Sequence, residues 1–377
     1  MLAVHIWLNV FHLGVKELRS LGRDKVMMVL ILFAFTVQVY LTATGLPESL
    51  HKAPIAIVDE DHSQLSTRII NAFYPPHFLA PAIIDQYAMD PGMDAGIYTF
   101  VLDIPPDFQR DVLAGRTPSI QLNVDATRMS QSFIGNSYVQ SIVNGEVAAF
   151  VQGHRAVTTL PAELEVRARF NPNLSSVWFG SVMELINSIT MLSIILTGAA
   201  LIREREHGTI EHLLVMPLTP FEIMSAKVWA MGLVVVAVAT ASLVFIVQGV
   251  LEVPIEGSIG LFVLGMAVHL FATTSMGIFM GTVARSMPQL GLMMIIILLP
   301  LQMLSGGITP RESMPALVQG LMMAAPTTHF VSLAQAILYR GADFSIVWPE
   351  FLALIAIGGV FFMLALSRFR KTISSMA

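Results

Sequence analysis

The chain has 377 residues, of which 55% are hydrophobic and only 12% charged, against roughly 25% charged in soluble domains. With a mean hydropathy of +0.70, this composition places it among polytopic membrane proteins and against a soluble enzyme. The formal net charge of −5 comes without a basic cluster, which excludes nucleic acid as a natural partner. The lack of cysteine excludes disulfides, thiol catalysis and Cys-bound metals.

Residues 5–23 read as an amphipathic helix. Trp7, Val10, Phe11, Gly14, Leu18 and Leu21 share one side, and Asn9, His12, Lys16, Glu17, Arg19 and Arg23 lie away from it. A tryptophan and several basic residues suit a helix lying in the membrane interface, so 1–25 is expected to be interfacial. Val26–Gly45 carries no charge over twenty residues, about 30 Å of helix and enough to span a bilayer. The preceding helix, with no small-residue cleavage site, favours an uncleaved anchor over a signal peptide.

Residues 46–177 change character. Turn signals recur, among them Pro54, Pro75-Pro76, Pro91-Gly92, Pro105-Pro106 and Pro118. Ile55–Val58, Tyr98–Leu102 and Ile120–Val124 read as strands, and Gln64–Phe73, Asp107–Ala114 and Met129–His154 as helices. A small α+β domain is therefore expected here. The acidic trio Asp59, Glu60 and Asp61 lacks calcium-loop spacing and reads as a solvated turn.

The membrane domain resumes over 178–367, with spans expected at Trp178–Ile202, Val228–Val250, Ser258–Val283, Gln289–Ser305 and Trp348–Leu366. Gly306-Gly307 and Pro310 break the fifth of the six spans. The run Pro315–Leu338, interrupted at Pro326, reads as a re-entrant or interfacial pair within a region over 306–338. Eleven Lys and Arg residues fall in the segments on one side: the N-terminal helix, the 203–227 loop, the 284–288 turn and the 368–377 tail. The short loops on the other side hold only Arg311 and Arg340. The positive-inside rule then puts both termini in the cytoplasm and the 46–177 domain outside. The expected fold is six transmembrane helices, an interfacial helix, and an extracytoplasmic α+β domain between the first two spans.

Between spans two and three lies a loop over 203–222 that begins REREHGTIEHLL. Ile210, Leu213, Leu214 and Pro217 fall at the spacing of one helical face, Gly208 supplies a joint and Thr209 a cap. Such a helix is suited to docking on something at the membrane surface, although a solvated loop is the ordinary alternative. No P-loop, H-E-x-x-H or G-x-S-x-G motif is present, so neither ATP binding nor hydrolytic catalysis is expected in this chain. Polar residues inside spans are costly and often functional. His269 is the first candidate for a transport pathway, with Asn187 and Gln302 behind it, and helix packing is the competing role for each.

REREHGTIEHLLVMPLTPFEI after the second span, LSGGITPRESMP (Leu304–Pro315) followed by PTTHF (Pro326–Phe330), and the insert's YTFVLDIPPDFQRDVLAGRTPSIQLNVDAT (Tyr98–Thr127) resemble ABC-2 type transporter permeases, in the bacterial inner-membrane subgroup with a large extracytoplasmic insert. The resemblance covers most of the chain. It implies a homodimer or heterodimer of permease subunits seated on separate ATP-binding subunits, with ATP held there and no cofactor in this chain. It assigns Glu204, Glu206, Gly208, Thr209, Glu211 and Leu214 to a coupling contact with the ATPase. It assigns Gly306, Gly307, Pro310 and Pro315 to a re-entrant region. It also implies export from the cytoplasm, with a periplasmic adaptor and an outer-membrane channel as further partners. Two other classes stay open: an autonomous secondary transporter or channel, which would want more intramembrane charge than Glu184 and His269 supply, and a membrane receptor or scaffold using the outside domain. The substrate is not legible.

Overall fold

The computed structural model describes residues 2–45, 52–125, 129–153, 170, 175–206 and 218–374. It divides into two compact units. One joins Met1–Leu46 to Ala168–Ala377 and the other is Pro47–Arg167. The first unit begins with helix α1 (Leu2–Arg23). Asp24 ends it and caps α2 (Lys25–Gly45), accepting a hydrogen bond from the Met27 N–H at 3.1 Å. The middle of α2, Ala34–Gln38, is a π-helical turn. One side of α1 differs from expectation. Val10, Gly14, Glu17 and Leu21 are buried, while Trp7 and Phe11 are exposed. Glu17, placed on the polar side by its charge, is drawn inward by lysines described below.

The second unit is an α/β fold. Strand β1 (Ile55–Asp59) leads through α3 (Gln64–Asn71) to β2 (Ala82–Ile83), then through α4 (Met89–Asp94) to β3 (Phe100–Ile104). Helix α5 (Phe108–Leu113), β4 (Gln121–Val124) and α6 (Met129–Gln152) follow. The sheet order is β2-β1-β3-β4, parallel except for the β3–β4 pair. Strand alternation sorts the side chains between two faces. Ile55, Ile57, Phe100, Leu102 and Ile104 pack with Leu65, Ile69 and Val139, while Ala56, Val58 and Val101 face Met89, Met93 and Tyr98. Two of the acidic trio hold the turn, and Glu60 is exposed. Asp59 accepts from Ser66 and from the Asp61 and His62 N–H groups, and Asp61 accepts from the Gln109 N–H at the start of α5. The two-residue β2 has no signal in the sequence, because so short a strand has no period to detect.

The first unit resumes with α7 (Ser176–Glu206), α8 (Pro220–Val250), α9 (Ile259–Val283), α10 (Met287–Met303), α11 (Ala316–Met322), α12 (Pro326–Leu338) and α13 (Phe344–Ser374). Among the described residues five helices, α2, α7, α8, α9 and α13, are long and apolar enough to cross a membrane. Helix α10 has 17 residues, and α11 and α12 meet at an 84° bend that would make at most one further span. The chain is thus polytopic and mostly helical, with α7 at its centre: 83% of its apolar window is buried, against 28% for α2 and for α13.

The expected loop over 203–222 is shorter than the sequence suggested. Helix α7 runs on through Glu206, 31 residues or about 46 Å at 1.5 Å per residue. Helix α8 begins at Pro220, because Thr219, Pro220 and Glu222 form a capping box with proline at the first helical position. Lys227, counted with the loop, is therefore inside a helix.

Candidate functional site

Successive residues of an α-helix step round its axis by about 100°. The four side chains Arg203–Glu206 at the end of α7 thus face nearly every direction, and each holds a different part of the unit. Arg203 meets Asp24, the cap of α2. Glu204 lies 2.8 Å from Lys227 Nζ on α8 and 2.9 Å from Lys16 Nζ on α1. Arg205 donates to the carbonyls of Ala284 at 2.7 Å and Gly281 at 3.4 Å, the C-terminal end of α9. Glu206 accepts from the Met287 N–H at 3.2 Å, at the first residue of α10. Helix dipoles favour a cation at the one end and an anion at the other.

Glu17 completes a ring. It lies 3.1 Å from Lys227 and 3.3 Å from Lys16, the same two lysines that hold Glu204. The Lys227 side chain is 1% exposed, and a charge so buried persists only when paired. Lys16 is half-exposed. Burial alone would lower its pKa, but Glu204 and Glu17 outweigh burial and hold it above the ordinary 10.5. A cavity of about 350 Å³ adjoins the ring, lined in part by Leu21, Arg203 and Met231.

Further contacts clamp α1 along α8. Asn9 donates to Glu222 at 2.9 Å, and Trp229 Nε1 donates to the Val10 carbonyl at 3.1 Å. The Trp229 ring stacks on Phe11 and covers Gly14, where a Cβ would lie 2.1 Å from the ring. The sequence reading assigned Glu204 to a contact with another protein. The structure places it 9% exposed, between Lys16 and Lys227 of its own chain. Glu206 binds the start of α10. Gly208, Thr209, Glu211 and Leu214 lie outside the described residues. Lys227, Glu17, Lys16 and Asp24 went unassigned in the sequence. The capping box at Thr219 was the signal that could have drawn Lys227 into a helix facing Glu204.

The pathway candidates separate. His269 is fully buried on α9, its Nε2 2.9 Å from Thr190 Oγ and its ring stacked on Phe330 with centroids 4.1 Å apart. One turn on, Ser193 donates to Thr273 at 2.7 Å. At Gly277 a Cβ would lie 2.1 Å from Thr197 Oγ and 2.7 Å from the Ile194 carbonyl, so α7 and α9 touch backbone to backbone there. This row lies along the packed contact between α7 and α9, and His269 is part of it, its Nδ1 making no hydrogen bond among the described residues. Asn187 on α7 and Gln302 on α10 are half-buried. No hydrogen bond joins either to His269 among the described residues.

The break after α10 is built on glycine. Gly306 has φ +94°, and at Gly307 a Cβ would lie 1.9 Å from Met183 Cε on α7. Pro310 precedes a 3-10 turn and Pro315 precedes α11. Beyond the bend, His329 faces two acceptors, Glu350 Oε2 on α13 at 2.6 Å and the Met323 carbonyl at 2.9 Å, while Ser332 donates to Glu350 Oε1 at 2.9 Å. His329 thus ties the bent pair to α13.

Comparison with known proteins agrees with this architecture. The family model described as ABC-2 family transporter protein matches residues 26–367. The chain is 68% identical over 369 residues to the inner membrane transport permease YhhJ of Escherichia coli (strain K12), covering 98% of this chain and 99% of that one. It is 28% identical over 362 residues to the probable multidrug ABC transporter permease YbhR of the same organism, covering 95% and 97%. A match that runs from the first apolar helix to the last, through the RERE turn and the glycine break, leaves one conclusion: the chain belongs to the ABC-2 family of transporter proteins.

Proposed function

We propose that this chain is the membrane-spanning permease subunit of an ATP-driven exporter and that a separate ATP-binding subunit docks on residues 207–217. The observation that carries the reading is the ionic hub at Arg203–Glu206. The helix entering the segment and the helix leaving it share one buried ring of charge with α1, and the same turn grips the ends of α9 and α10. A push on that segment would reach all of them as one body, which is what a motor contact requires. ATP stays on the partner, and this chain contributes no catalytic group.

In this reading both termini are cytoplasmic and the Pro47–Arg167 unit lies outside, following the Lys and Arg distribution. Six spans keep that parity when α10 is the fifth. Its 17 residues reach about 26 Å, against a hydrocarbon core of about 30 Å. The α11–α12 bend is then re-entrant. Two permease subunits, identical or paralogous, form the pathway, and the outside unit is the surface for a periplasmic adaptor linked to an outer-membrane channel. The likeness to the inner membrane transport permease YhhJ supports a bacterial inner-membrane location. The likeness to the probable multidrug ABC transporter permease YbhR supports a small-molecule cargo.

Purification of the full chain from native membranes in mild detergent tests the central claim. A stoichiometric ATP-binding subunit is expected. It should be lost when residues 208–214 are replaced by a glycine–serine stretch, with membrane insertion intact. A chain that purifies without an ATPase overturns the proposal.

A further inference from the structure

Helix α7 carries a second glutamate, Glu184, well inside its apolar stretch. Its surroundings are the opposite of those of Glu204. Gln38 Nε2 donates to Glu184 Oε1 at 2.5 Å, and the Ser188 hydroxyl lies 3.5 Å from the same oxygen. Among the described residues Oε2 accepts no hydrogen bond, and no Lys, Arg or His pairs with the carboxyl. The side chain is only partly covered. A carboxyl in an apolar span with neutral partners alone is costly to keep.

The backbone around it is built for the purpose. Gln38 is the last residue of the π-helical turn in α2, and such turns re-aim side chains and are frequent at functional sites. The turn is held by its neighbours. Ser242 of α8 donates to the Phe35 carbonyl at 2.5 Å, and Ser188 lies 3.4 Å from the Ala34 carbonyl. Three helices thus combine to point one amide at one carboxyl oxygen, while the other accepts no hydrogen bond among the described residues.

We propose that Glu184, oriented by Gln38, is a binding site for the charged group of an amphipathic organic cation carried by the transporter. This deepens and rests on the permease reading. A small metal ion is the poorer occupant. It needs about six oxygen ligands, and no group of three His, Cys, Asp or Glu side chains is placed for a metal among the described residues. A large organic cation is weakly hydrated and asks only for one carboxylate and an apolar wall.

The test is equilibrium binding of tetraphenylphosphonium to the purified full chain in lipid nanodiscs, with triphenylphosphine oxide as the neutral comparator. Glu184→Gln is expected to weaken tetraphenylphosphonium binding tenfold or more and to leave the neutral compound within twofold, while Glu184→Asp keeps the preference for the cation. A second measurement needs no variant: tetraphenylphosphonium should slow carbodiimide labelling of Glu184 in the wild-type chain. Unchanged affinity in Glu184→Gln, no saturable binding by the wild type, or labelling indifferent to the cation overturns the proposal. Co-purification of an ATPase without cation binding would sink this site and keep the permease reading. Cation binding without an ATPase would do the reverse.

Discussion

Glu184 and Glu204 sit on the same helix, twenty positions apart, and their surroundings show two different uses of an acid on one apolar helix. Glu204 has two lysines within 3 Å and belongs to a ring that locks α1, α7 and α8 together. Glu184 has an amide and a hydroxyl, which orient a carboxyl without neutralising it. A buried charge whose partners are all internal is part of the frame. One held only by neutral donors has its electrostatic requirement open, and a ligand can meet it.

Removing Lys227 should break this contrast most severely. Lys227→Met leaves Glu17 and Glu204 facing each other with only half-exposed Lys16 between them. Loss of one partner of a buried pair costs about 3–5 kcal/mol, so a large drop in thermal unfolding temperature in detergent is expected, partly reversed by adding Glu204→Gln. A variant as stable as wild type would remove the ring from the frame. Its Lys16 side has a pH signature. Because the folded pKa of Lys16 is raised above 10.5, its contribution is fully present below that value and is lost as pH climbs through the folded pKa. Unfolding followed between pH 8 and 12 should show the loss only at the alkaline end, and Lys16→Met should remove that dependence.

The rigid contact between the two glutamates comes next. Gly277→Ala inserts a methyl against Thr197 and the Ile194 carbonyl, an overpacking expected to cost about 1–3 kcal/mol, read as a lower unfolding temperature with the same retention on size-exclusion chromatography. Arg205→Gln removes a cation from the C-terminal carbonyls of α9 and should cost about 0.3–1 kcal/mol. If the hub transmits force, ATPase activity of the assembled complex should fall more than stability does. Glu184→Gln is the smallest effect on stability. No ion pair is broken, so the unfolding temperature should stay level or rise, by less than about 1 kcal/mol in stability. A marked loss would mean that Glu184 is frame, like Glu204.

Much of the fold was legible because spans announce themselves by length and hydropathy. Val26–Gly45 and Ser258–Val283 correspond closely to α2 and α9. Boundaries at charged ends were not legible in the same way. Arg203–Glu206 read as loop because charge was taken for solvent exposure, whereas each of these side chains finds an internal partner. Lys227 failed for the same reason, and its correction was available in the Thr219–Glu222 capping box. His269 drew attention as a polar residue at membrane depth, yet whether it met solvent or Thr190 and Phe330 depended on a neighbouring helix 79 positions away.

Composition and periodicity alone determined that the chain crosses a membrane several times, carries an inserted unit of mixed strands and helices and lacks the P-loop motif, because those properties follow from local runs of residues. Only the tertiary structure decided which charges are partners. Pairing depends on which helices lie side by side, and Lys16, Glu204 and Lys227 are brought within 3 Å from distant parts of the chain. The same fold left Glu184 with neutral partners, since the π-helical turn of α2 turns Gln38 toward it and, among the described residues, no Lys, Arg or His pairs with its carboxyl.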